Sequence, residues 1–193
     1  MTGRTHDLAA LTALGGIVLL KTPDVMTLST VLVSILANQI GGILPDIDQP
    51  TAPLWRNLPI VGGLMSKIVD KMLGGHRFIS HSLLGLVLFG FLGRLLLVLL
   101  HPIMTSVNID LVWWAFIIGV VSHLAMDTLT KEGVPWLLPI PIKIGLPPIK
   151  SLRITTGKSV ETLIVFPALL ITNIWFYTSN YHSVLRFIHI NIV

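Results

Sequence analysis

The sequence has no cysteine and few charged residues. Because none of the 193 residues is a cysteine, disulfide bonds and thiolate metal sites are excluded within this chain, and a metal ion would have to bind histidine and carboxylate. Charged residues make up only 11% of the chain, whereas soluble domains average about 25%. Hydrophobic residues account for 53%. This balance predicts a protein that is embedded in a lipid bilayer.

The chain also lacks the length for two domains and the charge of a nucleic-acid-binding protein. A chain of 193 residues suits one compact unit, so residues 1–193 are predicted to form a single membrane-embedded domain. The net charge of +4 is modest, and no binding to nucleic acid is expected. The positions of the basic residues are more informative about membrane topology than about ligands.

Five apolar stretches divide the sequence. They are Leu8–Leu20, Val25–Leu44, Phe78–Leu100, Leu111–Met126 and Val160–Tyr177. A helix needs roughly 20 residues to cross about 30 Å of hydrocarbon, so the second, third and fifth are long enough. The fourth is slightly short and the first clearly short, but a bundle accommodates a short helix by thinning the bilayer locally. The pattern predicts an all-α integral membrane bundle of about five helices, with four spans as the alternative.

Two long connections separate these stretches. The first, Pro45–Arg77, includes Val61–Leu73, whose pattern predicts a short helix lying in the membrane interface. The second, Asp127–Lys158, contains five prolines and cannot be helical throughout. Both connections are predicted to carry motifs at one membrane face.

The basic residues distinguish the two membrane faces. With five spans, ten of the 13 Lys and Arg residues lie on the face that holds the N-terminus and both long connections, and two lie on the other face. Basic residues accumulate on the cytoplasmic side of membrane proteins, so the long connections are predicted to be cytoplasmic. The ten are Arg4, Arg56, Lys67, Lys71, Arg77, Lys131, Lys143, Lys150, Arg153 and Lys158.

Histidines and acids gather at the ends of the apolar stretches that share this face. Ionisable residues at membrane depth are costly and usually mark function. One alone has a plain explanation, since a histidine is common at the interface and Asp is common in turns. Together they predict a shared metal site at the cytoplasmic ends of the helices. The candidate ligands are His6, Asp46, Asp48, His76, His81, His123 and Asp127.

The sequence separation of the candidate ligands indicates which of them can share one metal site. His123 and Asp127 are four apart and lie on one helix face, where the Asp either binds the same ion or orients the His. His76 and His81 share a site only if the helix begins between them or its first turn is irregular. Asp46 and Asp48 alternate along an extended segment, so one can bind metal while the other holds a partner.

The motifs resemble those of a known family. The order His6, Leu44-Pro-Asp-Ile-Asp48, Gly75-His-Arg-Phe-Ile-Ser-His-Ser82, Ser122-His-Leu-Ala-Met-Asp127 and Gly133-Val-Pro135 is similar to that of the YdjM-type family. These are bacterial inner-membrane proteins described as predicted metal-dependent hydrolases, some of them LexA-regulated. The resemblance covers about residues 1–162, and Ser80 stands where the family usually has Thr. It implies a bacterial inner-membrane hydrolase whose candidate metal ligands are His6, Asp46 or Asp48, His76, His81, His123 and Asp127.

Histidine and carboxylate ligands suit Zn²⁺, with Mn²⁺ or Fe²⁺ as alternatives. Seven candidates exceed the needs of one tetrahedral ion, so one or two ions are expected. Two ions about 3.5–4 Å apart would suit phosphoester cleavage. Arg77 is the candidate for holding a phosphate oxygen. Glu161, in the first turn of the fifth stretch, is either a general base or a favourable partner of the helix dipole. A site at the membrane face suggests a phosphoester or lipid-linked substrate.

Two other functions compete with hydrolysis. A transporter of protons or metal ions would need polar residues through the membrane depth, and the middles of the spans contain mainly Asn38, Gln39 and Arg94. A non-catalytic membrane scaffold would fold around the same site without turning over any substrate.

Overall fold

A computed structural model describes residues 1–20, 26–50, 52, 55, 62–74, 77–140 and 142–192. Within these residues the chain forms seven α-helices and no β-strand, which confirms the prediction of an all-helical fold. The helices are α1 (Gly3–Leu20), α2 (Leu28–Ile43), α3 (Gly62–Met72), α4 (Leu83–Leu100), α5 (Ile109–Thr128), α6 (Phe166–Ser179) and α7 (Tyr181–Ile192).

Four helical stretches of the described chain are long and apolar enough to cross a membrane. They are Leu28–Asp48, Leu83–Ile103, Ile109–Thr128 and Glu161–Ser179, and they match the second to fifth predicted spans. The first predicted span does not reach this standard. Its helix, α1, has 18 residues and carries Arg4, His6 and Asp7 in its first two turns. It packs instead against α2, α5 and α6 within the bundle.

Polar caps determine where the spanning helices begin. Thr27 caps α2 by accepting a hydrogen bond from the amide of Thr30, and Asn108 caps α5 in the same way. Ser82 caps α4 through the amide of Gly85. As a result α4 starts at Leu83 and not at Phe78, and the preceding Ile79–His81 forms a separate 3₁₀ turn. His81 therefore lies outside the long helix, in a turn that aims it inward.

The closest helix contact lies between α2 and α5. A Cβ at Gly119 would lie 2.1 Å from the carbonyl oxygen of Asn38, and one at Gly41 would lie 2.2 Å from that of Phe116. The Asn38 amide also donates to the carbonyl of Ala115 over 3.0 Å. Small residues allow this approach, and a buried side-chain amide strengthens it. The bundle is therefore tightest immediately before the motif-bearing ends of both helices.

The two long connections cover that end of the bundle. Helix α3 confirms the predicted short helix and lies beside the 3₁₀ turn Leu44–Asp48 that continues α2. In the second connection Val134 and Ile144 form an isolated antiparallel bridge, with backbone hydrogen bonds of 2.8 Å in both directions. Val134 is fully buried against Leu124, so this connection packs onto the bundle.

Candidate metal centre

Four helices bring their motif-bearing ends together at one end of the bundle. Helices α1 and α4 begin there, whereas α2 and α5 end there. Five of the predicted ligands consequently form two overlapping groups whose ligand atoms lie within 4.8 Å of one another. The groups are His6, His123 and Asp127, and Asp46, His81 and His123. His76 lies outside the described residues.

The better-defined candidate site consists of Asp46, His81, His123 and Asp127. Asp46 Oδ1 lies 3.6 Å from His81 Nε2 and 3.7 Å from His123 Nε2. Asp127 Oδ2 lies 3.5 and 3.8 Å from the same two nitrogens. Ligands bound tetrahedrally at about 2.0–2.1 Å are separated from each other by about 3.3–3.4 Å. These four Asp–His separations are therefore close to those between ligands of one small divalent ion.

The His123 ring is oriented for metal binding. Its Nδ1 lies 2.6 Å from the carbonyl oxygen of Gly42, which can only accept, so Nδ1 carries the proton. The lone pair is then on Nε2, which is buried and has no hydrogen-bond partner. A buried polar atom without a partner is rare and calls for an explanation. A metal ion bound at Nε2 supplies one, and the Gly42 bond is the usual support of a histidine ligand.

Ser80 and Asp48 contact the His81 ring at Nδ1, the nitrogen that faces away from the candidate metal position. The Ser80 hydroxyl donates to Asp48 Oδ2, and the Ser80 oxygen lies 2.9 Å from His81 Nδ1. This turns Nε2 of His81 toward Asp46 and Asp127. Burial lowers the pKa of His81, but hydrogen bonds to Asp127, Asp46 and Asp48 outweigh it and raise the pKa to about 10. A metal ion would have to displace the proton from this ring.

The two aspartates of the Pro-Asp-Ile-Asp motif thus have different surroundings. Asp46 faces the two histidines, with a side chain that is 22% exposed. Asp48 is fully buried and accepts hydrogen bonds from Ser80 and from the backbone amide of Arg77. Asp46 is the ligand candidate of the pair, and Asp48 supports the turn that carries His81.

His6 forms the second part of the centre. Its Nε2 lies 3.3 Å from Asp127 Oδ1, and its ring stacks on that of His123 at 3.8 Å. Asp127 therefore presents one oxygen to His6 and the other to His81 and His123, as a bridging carboxylate would. The α-amino group of Met1 lies 2.5 Å from Asp127 Oδ1 and 3.0 Å from His6 Nε2, so this position already holds a cationic group.

The Arg77 guanidinium lies beside the candidate ligands and contacts carboxylates. Nη2 lies 2.5 Å from Asp127 Oδ2, and Nη1 lies 3.3 Å from Glu132. The residue is 7% exposed and has a φ of 59°, the left-handed conformation. The backbone amide of Arg77 donates a hydrogen bond to Asp48, which stabilises this unfavourable backbone conformation. With the backbone held in this way, the guanidinium reaches Asp127 in the site.

Glu161 lies at the same end of the bundle but outside both groups. It is completely buried, and its oxygens accept hydrogen bonds from Thr2, Thr5 and Gly157. None of these donors belongs to the candidate metal ligands. Its role as a general base remains a prediction.

The sequence matches a known family over nearly its whole length. Residues 1–186 match the family described as YdjM inner membrane protein. The chain belongs to the YdjM family. The uncharacterized protein YvsG of Bacillus subtilis (strain 168) is 28% identical over 177 residues, which are 92% of this chain and 95% of YvsG. No solved structure matches the chain. The family and the four apolar helices identify a membrane protein, which confirms the resemblance of the motifs.

Sequence reasoning did not single out three residues that contact the candidate site in this YdjM-family chain. Gly42 offers the carbonyl that orients His123, Ser80 supports His81, and Glu132 pairs with Arg77. The Gly41-Gly42 pair inside an apolar helix was a usable signal, because small residues mark close helix contacts. The position of Ser80 directly before a candidate ligand was another. Nothing in the local sequence around Glu132 distinguishes it from a surface acid.

Proposed function

We propose that this protein is a membrane-bound metal-dependent hydrolase with its His/Asp site at the cytoplasmic face. The observation that carries the proposal is the cluster of Asp46, His81, His123 and Asp127, in which the carboxylate oxygens lie 3.5–3.8 Å from the two Nε2 atoms. Zn²⁺ suits these ligands best, with Mn²⁺ or Fe²⁺ as alternatives. A second ion would bind His6 and the other oxygen of Asp127, where it would replace the α-amino group of Met1.

A bound divalent ion acts as a Lewis acid, which lowers the pKa of water and polarises a phosphoryl group. The chain supplies the remaining requirements. Gly42 keeps Nε2 of His123 unprotonated, and Ser80 with Asp48 fixes the direction of His81. His81, His123 and Asp127 are fully buried, and their exclusion from bulk water strengthens the electrostatic interactions among them.

Arg77 is proposed to bind the substrate. In the structure its guanidinium neutralises Asp127, the residue that would also bind the metal. If Asp127 bound a metal ion, the Arg77 guanidinium would be available to bind another anion. Arginine binds phosphate oxygens through two parallel hydrogen bonds, so a phosphoester is the substrate class that fits best.

The location of the site favours a lipid or lipid-linked substrate at the cytoplasmic surface. The site lies where the apolar helices α2 and α5 end, and the ends of spanning helices usually meet the lipid headgroups. The connection between α5 and α6, at the same end, carries five basic residues, which supports a cytoplasmic location of this end by the positive-inside rule. They are Lys131, Lys143, Lys150, Arg153 and Lys158.

The structure gives little support to a transporter. The centre lies at one end of the bundle, and between α2 and α5 the backbones are too close at Gly41 and Gly119 for a water-filled path. Asn38, a polar residue in the middle of a span, uses its amide to join the two helices. Arg94 pairs with Asp110 over 2.6 Å, away from the metal centre.

The first test is the metal content of detergent-purified protein, measured by mass spectrometry. Wild type and a His101→Ala control are expected to hold near-stoichiometric Zn, Mn or Fe, since His101 is exposed at the opposite end of α4. A folded His123→Ala, Asp127→Ala double variant should lose it. The loaded protein is then assayed on aryl phosphoesters and on vesicles containing phosphatidic acid or a polyprenyl diphosphate. A wild type that binds no metal after reconstitution refutes the proposal, and metal without turnover supports the scaffold.

A further inference from the structure

The Glu161 carboxylate accepts four hydrogen bonds and has no part in the proposed reaction. Oε1 accepts from the amide and hydroxyl of Thr2 and from the hydroxyl of Thr5, each at 2.7 Å. Oε2 accepts from the amide of Gly157 at 2.8 Å. The side chain is completely buried at the start of the π-helical turn Glu161–Val165. Three of its four bonds therefore reach the N-terminal end of α1.

These bonds are unsuited to proton transfer in the reaction. A general base needs a free lone pair within reach of the attacking water. Oε1 of Glu161 already accepts three hydrogen bonds, and Oε2, which accepts one from Gly157, is buried away from solvent. A buried carboxylate is stable only when it is well hydrogen-bonded, so these donors and Glu161 hold each other in place. Single π-helical turns are often found where a helix serves a functional site.

We infer that Glu161 is a positioning residue that anchors the first turn of α1, and with it His6, against Asp127. His6 directly follows Thr5, whose hydroxyl binds Glu161. On the other side of that turn, His6 Nε2 lies 3.3 Å from Asp127 Oδ1 and its ring stacks on His123. The anchor thus connects the start of the last spanning segment to the metal centre. The importance of His6 for metal binding rests on the proposed function.

The rest of α1 has an independent attachment. The amide of Asn173, on α6, donates to the Thr12 hydroxyl over 2.6 Å, two turns farther along α1. Removing the Glu161 bonds should therefore loosen the first turn without detaching the helix. That local effect distinguishes an anchor from a residue needed for the whole fold.

The first experiment measures the anchor without metal. Because the chain has no cysteine, Ala9→Cys introduces a single thiol at a site that is 5% exposed, one turn after Thr5. Glu161→Gln and Thr5→Val are each expected to raise its maleimide labelling rate at least about tenfold, as a buried turn opens locally. Thr5→Ser, which keeps the hydroxyl, should not. Ala115→Cys, 2% exposed on α5, is the matched control and should be unaffected. Unchanged labelling at position 9, or an equal rise at position 115, overturns the inference.

The second experiment connects the anchor to His6. Glu161→Gln should weaken metal binding by about tenfold, at the low end for residues that support a ligand. In a His6→Ala background, Glu161→Gln should not weaken metal binding further, because the effects of substitutions at coupled residues are not additive. A Glu161→Gln protein with normal metal affinity but no turnover would make Glu161 the general base and overturn the inference. A wild type without metal refutes the proposed function, and the labelling result still decides whether Glu161 is an anchor.

Discussion

Gly119→Ala tests whether the metal centre depends on the close approach of α2 and α5. The new Cβ would lie 2.1 Å from the carbonyl oxygen of Asn38, and backbone on both sides leaves no flexible side chain to move. The two helices would have to separate by about 1 Å to reach normal van der Waals distance. Overpacking of this kind typically costs about 1–3 kcal/mol.

The same displacement should disturb the site one turn away. His123 is on α5, and its orientation depends on a 2.6 Å bond to the Gly42 carbonyl on α2. A shift of about 1 Å breaks this bond and exceeds the tolerance of about 0.2 Å that metal–ligand distances allow. Gly119→Ala is therefore expected to lower metal affinity by more than tenfold. The melting temperature should fall by roughly 2–12 °C, as the cost of overpacking implies.

The assay is a chelator competition with Zn²⁺ on detergent-purified protein, together with thermal unfolding. Gly63→Ala is the matched control, because a Cβ there has no neighbour within 4 Å. This control should match wild type in both measurements. If Gly119→Ala binds Zn²⁺ as tightly as wild type and has the same melting temperature as Gly63→Ala, the link between the helix contact and the geometry of the site is refuted.

Three further predictions concern single side chains of the site. Ser80→Ala should lower metal affinity about 10–100-fold in the chelator competition, because His81 loses its support, whereas Ser80→Thr should remain near wild type. Arg77→Gln should retain metal by mass spectrometry but raise the KM for a phosphoester; an unchanged KM would argue against substrate binding by Arg77. Glu132→Gln should change the melting temperature little, since Glu132 is 64% exposed and surface ion pairs contribute about 0–1 kcal/mol.

The sequence was most informative about the spans and the chemical type of the site. Crossing a bilayer demands a long apolar helix, so the hydropathy of 83–100 or 109–128 alone predicts a span. It was less informative about α1, because Arg4, His6 and Asp7 in its first two turns keep the helix below the standard for a span. Helix α7 was not predicted, because His182, Arg186 and His189 interrupt its apolar residues.

By itself the sequence determined an all-helical membrane protein and, by the absence of cysteine, a site of histidine and carboxylate. It also placed those residues at helix ends, because ionisable groups are too costly elsewhere in a bilayer. Only the tertiary structure decided that Asp46 faces the histidines while Asp48 supports Ser80, and that Glu161 binds the start of α1. Local periodicity assigns a residue to a helix face. It does not encode the ångström-scale packing of distant segments on which metal coordination depends.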